Sequence, residues 1–148
     1  MKNRKILLLA GVFAIIILIA AVAHLTGRTQ VGENCVQLQT GKQVKIIDLG
    51  KLPCDQVTGI RVNGKGEQIP VAGQGISVEK FLALQKINNY STLTVIADDT
   101  YNAFLTADEI SQGADAYFLL EDGQLRLVVF SDSNSKRHVS NVKEIIVE

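Results

Sequence analysis

Asp122-Gly123 stands between two uninterrupted apolar runs, AYFLLE at 116–121 and QLRLVVF at 124–130. Asp-Gly accepts the positive φ angles that a two-residue type I′ turn needs, and the twist of that turn matches the twist of paired strands. The two runs are therefore committed to an antiparallel hairpin. Because neither run alternates, both strands must be covered on each face. The neighbouring sequence offers the cover. Residues 92–97 and 101–105 read as a second strand pair across Asp98-Asp99, and residues 142–147 read as a closing strand. Between them, Thr106-Ala107-Asp108-Glu109 has the form of a capping box, in which Thr106 reaches forward and Glu109 reaches back to donors that a first helical turn leaves unpaired. Gly113 then stops that helix after about two turns.

Upstream the signals are shorter. A strand is expected over about 44–49, and a hairpin over 57–62 and 68–71, turning at Asn63-Gly64-Lys65-Gly66. Pro70 has no N–H and is expected at a sheet edge or strand end. Gly73 and Gly75 are read as a break before a helix over 78–86, which Ser77 caps and whose first turn Glu79 favours. Val78, Phe81, Leu82 and Gln85 lie on one face of it at helical spacing. The expected class is α+β: a mixed, β-rich domain with short helices, preceded by one N-terminal transmembrane helix.

That last element rests on ILLLAGVFAIIILIAAVA, residues 6–23. As a helix it would span about 27 Å at ~1.5 Å per residue, close to the roughly 30 Å of a bilayer's hydrocarbon core. It has no polar face to offer water. Lys2, Arg4 and Lys5 precede it and only Arg28 follows closely, which places the N-terminus in the cytoplasm and the rest outside. A cleaved signal peptide is the alternative, since Ala21-Val22-Ala23 has the small-x-small form of a cleavage site. The expected organisation is a basic cytoplasmic tail at 1–5, an anchor or uncleaved signal at 6–25, a stalk at 26–42 and an extracytoplasmic domain at 43–148. The localisation is the cell membrane, single-pass, or secreted if the segment is cleaved. A formal net charge of zero hides an asymmetry. Residues 29–148 hold eleven Lys or Arg against fifteen Asp or Glu, a net of −4. A mildly acidic exported domain is unsuited to nucleic acid, whose phosphates need a basic face.

Cys35 and Cys54 flank the first expected strand. In an exported protein a lone pair is expected to form a disulfide, and closing a loop of about 20 residues would add ~3 kcal/mol on the chain-entropy model. Their spacing does not suit a C-x-x-C redox pair, and no cluster completes a zinc site. The apolar pattern also stops over SDSNSKRHVSN, residues 131–141. There Lys136, Arg137 and His138 form the one concentrated basic run outside the anchor. They are candidate anion-binding residues, using serine hydroxyls and a forked guanidinium; the alternative is a solvated loop. Two histidines and no G-x-S-x-G elbow leave little material for a hydrolase. The acidic pairs Asp98-Asp99 and Asp108-Glu109 already have turn and capping roles, so no metal site is expected.

The order of DDTYNAFLTADEI, ADAYFLLEDGQ and LRLVVFSDSNSKRHVSNVKEI resembles the later part of the molybdopterin-binding domain of the sulfite oxidase family. Asp99-Thr100-Tyr101 stands for the family's DGY-like turn, residues 125–130 for its LRLVV strand, and residues 136–145 for its basic closing segment. The resemblance covers about 55 residues and extends weakly back through GIRVNGKGEQIPVAGQGISVEKFLAL. It implies a reduced version of that fold, with Lys136, Arg137 and His138 in the segment that lies near the pterin. The family's enzymes bind molybdenum through a cysteine in a C-x-G/A-N-x-R-like motif, which neither Cys35 nor Cys54 carries, and Phe130 replaces the usual proline. The chain therefore reads as a non-catalytic, cofactor-free binding or interaction module, with a protein partner or a small anionic ligand. The alternative is a molybdopterin-dependent oxidoreductase subunit that completes its site with a partner.

Overall fold

The computed structural model describes residues 32–148. The apolar segment at 6–23, the anchor and tail expected there, and the first part of the expected stalk lie outside the described residues.

Nine strands form two sheets. They are β1 (Cys35–Thr40), β2 (Gln43–Asp48), β3 (Asp55–Val62), β4 (Gln68–Ser77), β5 (Thr92–Ala97), β6 (Asn102–Thr106), β7 (Ala116–Glu121), β8 (Gln124–Val129) and β9 (Val142–Val147). The first sheet has the order β2-β1-β9-β5-β6, and the second β3-β4-β7-β8. Helices α1 (Val78–Leu84) and α2 (Ala107–Ser111) and a 3₁₀ turn (Leu49–Lys51) connect strands. Strands take 51% of the described residues and helices 13%. The expected α+β class is thereby corrected to a two-sheet β fold, and the α+β architecture carried over with the resemblance falls with it. The physical reason lies in the core. Leu38, Val95 and Ile145 of the first sheet and Ile76, Phe118 and Leu127 of the second are buried in one cluster. Sheet thus packs on sheet, and the two short helices add side chains such as Phe81 and Ile110 without forming a layer.

The segment expected as a stalk instead supplies β1. Val36 and Leu38 point into the core while Gln37 and Gln39 take the other face, and the only polar residue on the core side is Thr40 at the end of the strand. β1 runs parallel to β9 and antiparallel to β2. Cys35 shares the face of Gln37 and Gln39, whereas Cys54, just before β3, packs against the core cluster. In this structure the two thiols are not joined to one another. The Cys54 thiol donates to the Leu49 carbonyl at 3.5 Å.

Local chemistry sets the turns and caps. Asp122 and Gly123 have φ of 51° and 73°, the I′ pattern, and β7 pairs with β8 in register from Ala116↔Val129 to Glu121↔Gln124. The Thr106–Glu109 capping box closes in both directions, and Ser77 accepts from the Lys80 N–H. β7 and β8 are covered on both sides: Phe118 and Leu127 belong to the main core, and Leu119 and Val128 to a second cluster with Val57 and Val71.

Gly73 and Gly75 do not break the chain, contrary to expectation. They lie inside β4, which continues to Ser77. A Cβ on Gly75 would stand 2.5 Å from the Leu119 side chain and 2.7 Å from the Phe118 carbonyl, so this glycine lets β4 and β7 approach. Pro70 lies in the half of β4 that has β3 alone beside it, where its missing N–H breaks no ladder to β7. The edges of the second sheet, β3 and β8, also approach one another. A Cβ on Gly59 of β3 would fall 2.5 Å from the ring of Phe130, the residue after β8.

Candidate functional site

The near-meeting of β3 and β8 leaves a cavity of about 270 Å³ at one end of the gap. The Asn63-Gly64 turn after β3 borders it, as do Arg126, Leu127 and Val128 of β8, Tyr101 before β6, and Ser135, His138, Val139 and Ser140 of the 131–141 loop. The turn is fixed by its own side chain: Asn63 Oδ1 accepts from the N–H groups of Lys65 and Glu67, both at 2.9 Å. The loop is tied to β8 by reciprocal backbone bonds between Leu127 and Val139. Each wall is thus held by backbone structure.

Two guanidinium groups line this space. Arg61 is half-buried on β3, its Nε is buried without a hydrogen-bond partner, and none of the ion pairs among the described residues includes it. Arg126 donates from Nη1 to the Ser140 hydroxyl at 3.0 Å. Its Nε lies 3.0 Å from Glu121 Oε2 but off the hydrogen-bonding direction, so this pair is ionic and the Nε–H has no partner. No carboxylate lines the cavity. Buried donors without acceptors cost about 1–3 kcal/mol each.

The three basic residues expected to act together go separate ways. Lys136 is exposed; its N–H donates to Asn134 Oδ1 and its carbonyl accepts from the Tyr101 hydroxyl at 2.7 Å. Arg137 points to carboxylates. It donates from Nε to Asp132 Oδ2 at 2.8 Å, from Nη2 to Asp132 Oδ1, and from Nη1 to Glu109 Oε1 at 2.7 Å. The fork on Asp132, with Glu109 adding to it, holds the guanidinium firmly charged, well above its usual range. Glu109 in turn accepts from the Thr106 N–H, and that bond, then Arg137, draws its carboxyl below the usual range. Only His138 of the three lines the cavity. Its Nε2 lies 3.1 Å from the Val129 carbonyl oxygen, and its Nδ1 is buried with no partner.

Arg61 and Arg126 escape a reading of basic runs because neither has a basic neighbour. The available signal was a lone arginine inside an apolar strand, in GIRV and in LRLVV. A charge placed there must reach a partner or a cavity.

The cysteines do not fit a soft metal ligand at this site. Neither lines the cavity, and burial pushes the Cys54 thiol up, away from the thiolate that molybdenum ligation needs. Among the described residues no group of three or more His, Cys, Asp or Glu side chains is placed to hold a metal ion. Neither a family model nor a curated protein matches the chain.

Proposed function

We propose that this chain is a membrane-anchored, extracytoplasmic binding module that works without molybdopterin and holds a small anion between β3, β8 and the 131–141 loop. The observation that carries the reading is Arg61, a half-buried arginine that lines a cavity free of carboxylates and belongs to none of the ion pairs among the described residues. On a domain whose residues 29–148 sum to −4, such a local arrangement is costly unless a ligand completes it. The anchor rests on the apolar run at 6–23 and the basic residues before it. The one hydrogen bond between a serine of the cavity and His138 is backbone, from the His138 N–H to the Ser135 carbonyl at 3.0 Å; the ring contacts the Val129 carbonyl and neither serine hydroxyl.

Full-length protein in detergent, titrated with inorganic phosphate by calorimetry, should bind one anion. Arg61→Ala should weaken that binding by at least tenfold, about 1.4 kcal/mol. Equal affinity in the variant would remove the reading. Molybdenum in stoichiometric amount in protein purified from its native host would overturn its cofactor-free part.

A further inference from the structure

We infer that copies of this chain join edge to edge through the five-stranded sheet, β2 of one copy against β6 of the next. The inference goes beyond the anion-binding reading and uses other residues. β2 and β6 end that sheet, and among the described residues neither has a strand on its outer side. The ladders show which of their backbone groups are free. The Leu49 N–H donates to the Asn34 carbonyl, so by the alternation of an antiparallel pair Gln43, Lys45 and Ile47 turn their backbone groups to β1, and Val44 and Ile46 turn theirs outward. The Ala97 N–H donates to the Tyr101 carbonyl, so Ala103 and Leu105 face β5, and Asn102 and Phe104 face outward. Three of these four outward positions carry exposed apolar side chains: Val44 (54%), Ile46 (47%) and Phe104 (61%). All three lie on the sheet face away from the core, where Val44, Gln39, Ile146, Thr94 and Phe104 form one straight row across five strands. Open edges of this kind are templates for another strand.

Direction and charge identify that strand as the opposite edge of a second copy. β1 and β9 are parallel and the other pairings of the sheet are antiparallel, so β2 and β6 run in opposite directions. A copy set beside the first in the same orientation therefore meets it with an antiparallel pair. Placing Val44 opposite Phe104 and Ile46 opposite Asn102 joins the two outward-facing sets and carries the row of side chains into the next copy. Like edges are opposed by their charges. Lys42 and Lys45 are exposed on and beside β2, whereas the exposed acids Asp98, Asp99 and Asp108 flank β6. Two β2 strands paired Val44 to Ile46 would set Lys45 against Lys45, and two β6 strands paired Phe104 to Asn102 would set Asp98 against Asp108. Like charges placed opposite one another are destabilising. In the β2–β6 pair Lys45 faces Ala103, and Lys42 comes beside Thr106, two residues from Asp108. Such a contact is heterologous: each copy keeps one edge open, and further copies can add.

The test uses full-length protein in detergent. Oxidation of a mixture of Val44→Cys and Phe104→Cys copies should give a disulfide-linked dimer, while neither variant alone exceeds the parent, whose Cys35 and Cys54 set the background. In sedimentation the parent should self-associate as its concentration rises. Val44→Pro removes an N–H that bonds nothing within the chain, and Phe104→Lys changes an exposed side chain. Each should raise the dissociation constant roughly tenfold or more and leave the circular dichroism of the fold unchanged. A parent that stays monomeric at every concentration would overturn the inference. So would cross-linking of either cysteine variant alone to the level of the mixture, which would mean that like edges pair, or association that survives both Val44→Pro and Phe104→Lys.

Discussion

Arg137 and Arg61 carry the same guanidinium at similar burial, one within the serine-rich loop and the other on the strand that borders the cavity, yet their surroundings are opposite. Around Arg137 two carboxylates converge, Asp132 from its own loop and Glu109 from the first turn of α2. None of the ion pairs among the described residues includes Arg61, and its buried Nε has no partner. The contrast teaches that a cluster of basic letters does not locate an anion site. A guanidinium whose donors are satisfied by carboxylates fixes a loop, and one with donors left over can receive a ligand. Arg137 holds the loop on α2, and the loop in turn brings Ser135 and His138 to the cavity that Arg61 lines.

Substitutions can break or sharpen this contrast. The largest effect should come from Gly59→Ala, which forces a methyl group to 2.5 Å from the Phe130 ring and pries apart the edges that form the cavity. A loss of about 3 kcal/mol in chemical denaturation is expected, at the upper end for overpacking. Arg137→Ala leaves Asp132 and Glu109 facing one another without their shared donor, and should cost about 2 kcal/mol in the same measurement. Arg61→Ala should lie within about 0.5 kcal/mol of the parent, because no native partner is lost. If Arg61→Ala proved as destabilising as Arg137→Ala, the two environments would not differ as described.

A pH profile probes the Arg137 side alone. The Glu109 carboxyl is depressed in the folded state, mainly by the Thr106 N–H and then by Arg137. Its contribution is therefore present above the ordinary carboxylate value of about 4.3 and is lost as pH falls through the lower folded value. Thermal midpoints between pH 3 and 7 should show this acid-side loss in the parent and a shallower one in Glu109→Gln. A profile of identical shape in the variant would show that the Glu109 carboxylate adds nothing to the Arg137 cluster.

Much of the fold was legible where structure is made by neighbours in the chain. Asp122-Gly123, the Thr106–Glu109 box and the Ser77 cap depend on residues within a turn of one another, and all three take the expected form. What could not be read depends on distant partners. β1 looked like a stalk because Gln37 and Gln39 outweigh Val36 and Leu38 by eye, and only its pairing with β9, more than a hundred residues away, makes it a central strand. Gly75 looked like a break because the atoms that need its missing Cβ, the Leu119 side chain and the Phe118 carbonyl oxygen, sit on β7. The candidate site divides in the same way. His138 was legible because it stands in a conspicuous basic run. Arg61 and Arg126 were not, because they come from the two edges of one sheet, 65 positions apart, and meet only when that sheet curls.

The most direct test of the contrast between the two arginine environments is a crystal structure of the protein grown with selenate, a heavy-atom stand-in for a tetrahedral oxyanion. We expect one anomalous peak within hydrogen-bonding distance of Arg61 and Arg126, with Arg137 still bound to Asp132 and Glu109. A peak on Arg137 with its carboxylates displaced, and none beside Arg61, would contradict it.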